Sequence, residues 1–300
     1  MKDFINLLKN AEINYIENEP MKNHTSFKTG GDAEIFLAPK DEDELIKILG
    51  FCKSCSLKPF VFGNGSNLLI SDNGIKNRPV IHIGKAFSFI KDIDETTLEA
   101  GAGGSLTALC NYALSKELTG LEFAFGIPGS CGGAAYMNAG AYGGEMKDIM
   151  IKCNHITSDG KKGFFEGSAL DLSYRHSVYT DSDYIITSIV VKLTKGDKNG
   201  IESKMRELMG RRIDKQPLEY PSAGSVFKRP EGYFAGALIE QSGLKGKRIG
   251  GAMVSEKHAG FIINYDNATT TDILELVKYC QATVKDKFGV ELETEIKAIE

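Results

Sequence analysis

The sequence predicts an α+β protein whose ligand site is made of turns. Three observations lead there. Helical and strand-like patterns are interleaved with no internal repeat. Four glycine-rich turns in the first half each lie beside a predicted strand. A polar, turn-rich break at residues 194–200 divides the chain into a region 1–200 and a region 201–300.

The elements follow in order. MKDFINLLKNAE reads as an amphipathic helix with Phe4, Leu7, Leu8 and Ala11 on one side. EIFLAP (34–39) reads as a strand. Asp41 to Glu44 opens a helix like a capping box, and Leu45, Ile48, Leu49 and Cys52 follow at helical spacing. KPFVF (58–62) is a second strand, ending in GNGSN. TTLEAGAG is a third and runs into a helix with Leu106, Leu109, Ala113 and Leu118 inside. YIITSIVVKL (184–193) is a long β-branched strand. Beyond the break, a helix from Ile201 to Ile213 is stopped by Pro217, and another from Phe234 to Gln241 ends at Gly243. GFIIN (260–264) is a strand. A capped helix from Thr271 to Phe288 turns Leu274, Val277, Cys280 and Val284 inward. ELETEIKAI alternates like a strand.

Composition sets bounds. A 300-residue chain with 42% apolar residues holds two domains or one large one with a real core. A net charge of −4 argues against nucleic acid as a partner. No stretch approaches the roughly 18 apolar residues that cross a bilayer. The expectation is a cytoplasmic protein without membrane insertion. Cys52 and Cys55 form a C-x-x-C with no second pair, so zinc is not expected. All six cysteines read as ordinary thiols, and no metal site is expected.

Seven of the nineteen residues in GIPGSCGGAAYMNAGAYGG (126–144) are glycine, and none is charged. The other glycine turns are TGG (Thr29, Gly30, Gly31), GNGSN (Gly63, Asn64, Gly65, Ser66, Asn67) and GAGG (Gly101, Gly103). Glycine lets main-chain N–H groups approach a phosphate with no side chain in the way. Pro128-Gly129 suits the centre of a type II turn. Gly132, Gly133, Ala134 and Ala135 leave a bare wall for a planar ring, with Gly126 and Ser130 in the same candidate cofactor stretch. Asn138, before Gly140 and Ala141, offers an amide at its edge. Neither G-x-G-x-x-G nor G-x-x-x-x-G-K-[ST] is present, so the residues point to a dinucleotide or similar ligand held outside the Rossmann and P-loop folds.

TSFKTGG (25–31), FGNGSNLL (62–69), GLEFAFGIPGSCGGAAYMNAGAYGGE (120–145), SYRHS (173–177), PSAGSVFKRP (221–230), AGALIEQSGLKGKRIGGAMVSEKHAGFIIN (235–264) and LETEIK (292–297) span nearly the whole chain. In this order they resemble the motifs of the UDP-N-acetylenolpyruvoylglucosamine reductases. The resemblance implies a p-cresol methylhydroxylase-type FAD-binding fold in 1–200, holding FAD through the glycine turns, and a C-terminal α+β substrate-binding domain in 201–300. It implies reduction of an enolpyruvyl ether of UDP-N-acetylglucosamine by NADPH, in peptidoglycan precursor synthesis. The short span after SYRHS implies the compact subtype, which lacks an extra tyrosine loop. No histidine lies in a context for covalent flavin, so non-covalent FAD is expected.

On pattern alone Ser225 is a turn serine, Arg175 a surface charge and Glu295 a solvated position. The resemblance makes Ser225 the proton donor and Arg175 and Glu295 the pair that stabilises the intermediate. Hydride addition to the enolpyruvyl methylene leaves charge on the neighbouring carbon and its carboxylate. A preorganised cation suits that charge. Glu295 fits there only if protonated or paired with Arg175. The basic residues Arg211, Lys215, Lys228 and Arg229, with Tyr174, become candidates for gripping diphosphate and carboxylate. Arg229 stands where many relatives carry asparagine, and Cys131 where a β-branched residue is common. The runner-up reading is an FAD-dependent oxidase of the same fold. A third is a non-catalytic nucleotide-sugar-binding protein.

Overall fold

The computed structural model describes every residue, Met1–Glu300. The backbone groups into two compact units. The first holds Met1–Glu17, Ile35–Asn64 and Asn77–Arg211; the second holds Asn18–Glu34, Gly65–Lys76 and Arg212–Glu300.

In the first unit, Phe60–Phe62 and Val80–His82 run parallel, and Val80 also lies opposite Phe36 of the strand Asp32–Leu37. The helices Lys2–Asn10 and Glu42–Ser54 bury Phe4, Leu8, Leu45, Ile48, Leu49 and Cys52. The second helix starts where the sequence places it. The Glu44 N–H donates to Asp41 Oδ1 at 2.8 Å, closing the first turn. A five-stranded antiparallel sheet forms the rest, in the order Lys162–Glu166, Met150–Ile156, Ile185–Lys192, Thr97–Gly101, Ile90–Asp92. Its central strand, Ile185–Lys192, is buried along all but its last residue. That explains the β-branched run, interrupted only by Ser188, since both faces of this strand are covered. The helices Leu106–Ser115 and Cys131–Tyr136 contribute to the same core.

The second unit is built on a three-stranded antiparallel sheet, Arg248–Ile249, Ala252–Val254 and Ile262–Asn264. The helix Thr270–Phe288 supplies Ile273, Leu276, Val277, Cys280 and Val284 to its core. Thr269 and Asp272 cap that helix reciprocally, and Gly289 ends it at φ +68°. Ala235–Gln241 adds Leu238 and Ile239 to the same core.

Four expectations change. Leu118 leaves the third helix and pairs as a short strand with Lys195. The segment 194–200 is therefore part strand and part helix start. The helix Lys198–Lys215 buries Ile201 and Met205 in the first core, so that unit runs on to Arg211. Leu274 is only half buried; Ile273 and Leu276 take the interior positions. In ELETEIKAI the alternation is real, with Leu292 and Ile296 buried, but only Lys297–Ile299 forms a strand, parallel to Leu68–Ile70.

Candidate active site

Within the first unit the glycine turns lock together through main chain. The Cys131 N–H donates to Gly104 O at 2.7 Å, Gly132 N–H to Ala102 O at 2.9 Å and Leu106 N–H to Gly129 O at 3.1 Å. A Cβ on Gly132 would lie 2.8 Å from that of Ala102, and one on Gly103 would collide with Gly84 O. These glycines are needed for turn-on-turn packing. The exposed main chain that results is narrower than the sequence suggests. Gly101, Ser130, Gly132 and Ala134 are buried; Gly133 and Pro128 are exposed; Gly63, Gly103, Gly126, Gly140 and Ala141 are half-exposed, and Asn64 is open.

The region 131–136 is a short helix, not a flat wall, and Ser130 Oγ accepts the Gly133 N–H at 3.1 Å. Nor is Pro128-Gly129 a type II turn. Gly129 lacks the positive φ that turn requires and donates instead to Ile127 O at 2.8 Å, a three-residue turn about Pro128; the positive φ falls on Gly126, at +82°.

Asn138 is fully buried and is not at a surface edge. Its Nδ2 donates to Glu145 Oε2 at 2.9 Å and to Ser173 O at 2.8 Å, and its Oδ1 accepts the Lys147 N–H at 2.8 Å. Ser173 begins the turn that carries Arg175. Ser173 and His176 exchange main-chain hydrogen bonds of 3.2 and 3.1 Å, leaving Tyr174 and Arg175 at the tip. Arg175 has φ +56°, a left-handed backbone that a long side chain rarely adopts. Its guanidinium lies 5.1 Å from the centre of the exposed Tyr174 ring.

In the second unit, Ser225 follows Gly224, at φ +77°, and stands opposite Phe261. Val226 donates to Gly260 O at 2.9 Å and accepts from the Glu295 N–H at 2.7 Å. Ser225 and Glu295 are thus on adjacent ladders of one small ribbon. Asn67 holds that ribbon from its other side, since its Nδ2 donates to Glu295 O at 3.0 Å and its O accepts the Lys297 N–H at 2.9 Å. The same unit contains Thr29, Gly30 and Gly31, with Gly31 N–H donating to Ser71 O at 2.9 Å, together with Gly65 and Ser66. Thr29 and Gly65 are buried.

The expected cations differ in circumstance. Arg211 is exposed and paired with Glu207 at 2.5 Å along its helix. Lys215 is exposed. Lys228 pairs with Glu293 across the ribbon, and the Arg229 guanidinium stacks 4.0 Å over the Phe234 ring. Arg212 belongs to the same basic cluster in the sequence but was not a site candidate; it is 6% exposed and donates to Gln216 Oε1 at 3.3 Å. Its signal was available, because Arg212 continues the buried stripe of Ile201, Met205 and Leu208. Glu145 was also passed over. Lys147 beside it, Asn138 and the Arg175 charge hold its carboxyl below the usual range.

The chain is 49% identical over 282 residues to the UDP-N-acetylenolpyruvoylglucosamine reductase of Caldanaerobacter subterraneus subsp. tengcongensis, covering 94% of this chain and 92% of that protein. The chain belongs to the UDP-N-acetylenolpyruvoylglucosamine reductase family. The family member of Clostridium novyi is 45% identical over 298 residues, or 99% and 95% of the two chains. The C-terminal domain model of this reductase family matches residues 216–299, and an FAD binding domain model matches 33–162. Among solved structures, the reductase of Thermus caldophilus superimposes with a TM-score of 0.81 at 33% identity, covering 96% and 99% of the two chains. The α+β class and the expected flavin-binding fold, with this reductase's C-terminal domain, hold. No helix is long and apolar enough to cross a membrane, and no group of three or more candidate metal ligands occurs.

Proposed function

We propose that this chain reduces the enolpyruvyl ether of UDP-N-acetylglucosamine to UDP-N-acetylmuramate, drawing electrons from NADPH through non-covalently bound FAD. The turns fit a flavin dinucleotide. The interlocked loops 101–106 and 129–133 carry no charged side chain, and their glycines let main chain come close where any Cβ would intrude. The flavin contacts are assigned within 1–200, and the substrate contacts largely within 201–300. Held by those turns, FAD would supply hydride chemistry, linking oxidation of NADPH to reduction of the enolpyruvyl group at its terminal methylene carbon.

The chain's own residues then manage charge and a proton. Arg175 faces the substrate carboxylate and lowers the energy of the enolate as it forms. The Ser225 hydroxyl gives its proton to the substrate carbon. A serine hydroxyl is a weak acid, but an enolate carbon is a strong base, so a positioned hydroxyl serves. Glu295, one ladder away from Ser225, orients the group being protonated and acts beside that anion in its protonated form or next to a cation. Lys215, Lys228 and Arg229 meet the phosphates, with Tyr174 and Arg211 at the edge of the substrate.

The observation that carries this reading is the placement of Ser225 and Glu295 on one ribbon, in a chain akin to the family over nearly its full length. An anaerobic titration tests it. NADPH should bleach the yellow flavin absorbance, and stoichiometric enolpyruvyl substrate should restore it. Restoration by oxygen but not by the substrate would support the oxidase reading instead. A colourless protein that still binds the UDP-sugar would support the non-catalytic one.

A further inference from the structure

We propose that Asn138 is a positioning residue for Arg175, acting with Glu145 as a bracket that holds the Arg175 turn in its strained conformation. The inference deepens the reading above and rests on it. A left-handed backbone at a long side chain persists only where its surroundings over-determine it. Those surroundings are visible within the first unit. Ser173 O, at the base of the turn, accepts two hydrogen bonds, from the His176 N–H and from Asn138 Nδ2. Asn138 is itself left-handed, at φ +43°, a conformation its short amide side chain tolerates well. Its Nδ2 and Oδ1 are all engaged and none is exposed, so it has no free group for a ligand.

The far side of the turn is tied as firmly. His176 Nε2 lies 3.1 Å from Asp171 Oδ2, and its Nδ1 lies 2.7 Å from Thr180 Oγ1. Ser177 Oγ donates to Tyr136 O at 2.6 Å. Glu145 completes the bracket. It accepts from Asn138 and pairs with Lys147 at 2.9 Å, and after these the Arg175 charge also helps to hold its carboxyl below the usual range. Asn138 thus fixes the backbone of the turn, while Glu145 holds the Asn138 amide in place and sets a negative charge beside the turn.

Asn138→Asp is the informative variant. It keeps the left-handed tolerance and the acceptor for Lys147. It replaces both N–H donors with a carboxylate facing Glu145 and a carbonyl. Flavin reduction by NADPH should stay within about twofold of the parent, while oxidation by the enolpyruvyl substrate slows by about tenfold or more, the loss typical of a displaced catalytic group. In an Arg175→Ala background the same substitution should produce no further loss, because residues that act as a unit are not additive. Amide hydrogen exchange in the peptide holding His176 should rise by at least tenfold, a change that can be read without turnover.

Independent losses that multiply, equal slowing of flavin reduction, or unchanged exchange would each overturn the bracket. If Asn138→Asp does not accumulate as a folded yellow protein, Glu145→Gln carries the test. It should slow substrate oxidation in the parent and not in Arg175→Ala, and equal slowing in both would overturn the proposal. Full activity of Arg175→Ala would instead defeat the assignment of Arg175 on which the bracket depends.

Discussion

Ser225 sits next to Gly224 on a ribbon whose main chain is held from both sides, so its side chain can be changed with little effect on the fold. Ser225→Ala should therefore keep the yellow cofactor and its bleaching by NADPH. Enolpyruvyl reduction should fall by a factor corresponding to about 3 kcal/mol or more. Stopped-flow measurement of the two half-reactions reads both outcomes. Arg175 makes the opposite point. Its left-handed backbone costs roughly 1 kcal/mol in any residue with a Cβ. Arg175→Gly should melt at a higher temperature than Arg175→Ala, with both equally slow in substrate reduction. A calorimetric comparison decides it; equal melting temperatures would mean the turn stores no strain.

The helices and strands carry different amounts of their own evidence. The helix Glu42–Ser54 was legible to within a residue or two, because cap, periodicity and length agree. The strand Ile185–Lys192 was equally plain. Less was legible where tertiary packing decides. Leu118 continues a helical stripe, yet it belongs to a strand whose partner, Lys195, is far along the chain. Gly126–Gly144 declares itself as unusual, but which glycines face ligand and which face protein depends on turns brought from 63, 84 and 102.

The family was legible through motif order, while the bracket around Arg175 was not. Nothing in the sequence near Asn138 names Ser173 as its partner. Three variants test these elements. Gly103→Ala should destabilise the first unit and lower flavin retention, because its Cβ meets the Gly84 carbonyl; overpacking of this kind costs about 1–3 kcal/mol. Gly143→Ala, at φ +90° with open space around it, should cost only the backbone strain and keep the flavin. Thr269→Ala should lower stability by about 1 kcal/mol through loss of the cap on Thr270–Phe288, measured by denaturant titration.

For the whole molecule, two histidines set the response to mild acid. Burial pushes the pKa of His155 down. His155 Nδ1 lies 3.0 Å from the Tyr179 hydroxyl, which itself donates to Cys153 O, so the Nδ1–H tautomer is favoured. Burial also lowers His258, with Lys245 and Lys215 adding to the effect against the opposing influence of the backbone and Glu240. Both are therefore neutral in the folded protein and bind protons more readily once unfolded. The stability they preserve is present above the ordinary imidazole pKa of about 6.5 and is lost as pH falls below it. Denaturation midpoints should drop between pH 7.5 and 5.5, and the drop should shrink in a His155→Gln, His258→Gln double variant. Carboxylates such as Asp72, held low by Thr270 and Thr271, act only in stronger acid.

The parallel pairing of Lys297–Ile299 with Leu68–Ile70 has a consequence for biosynthesis. Strand 68–70 emerges from the ribosome long before its neighbour and waits with one hydrogen-bonding edge unmatched. The ribbon bearing Glu295 cannot settle against Asn67 until translation has passed the last partner. Competence to handle substrate should therefore arrive abruptly, once residues 297–299 are free to pair, and a nascent chain halted short of residue 297 should rely on chaperones to shield that edge.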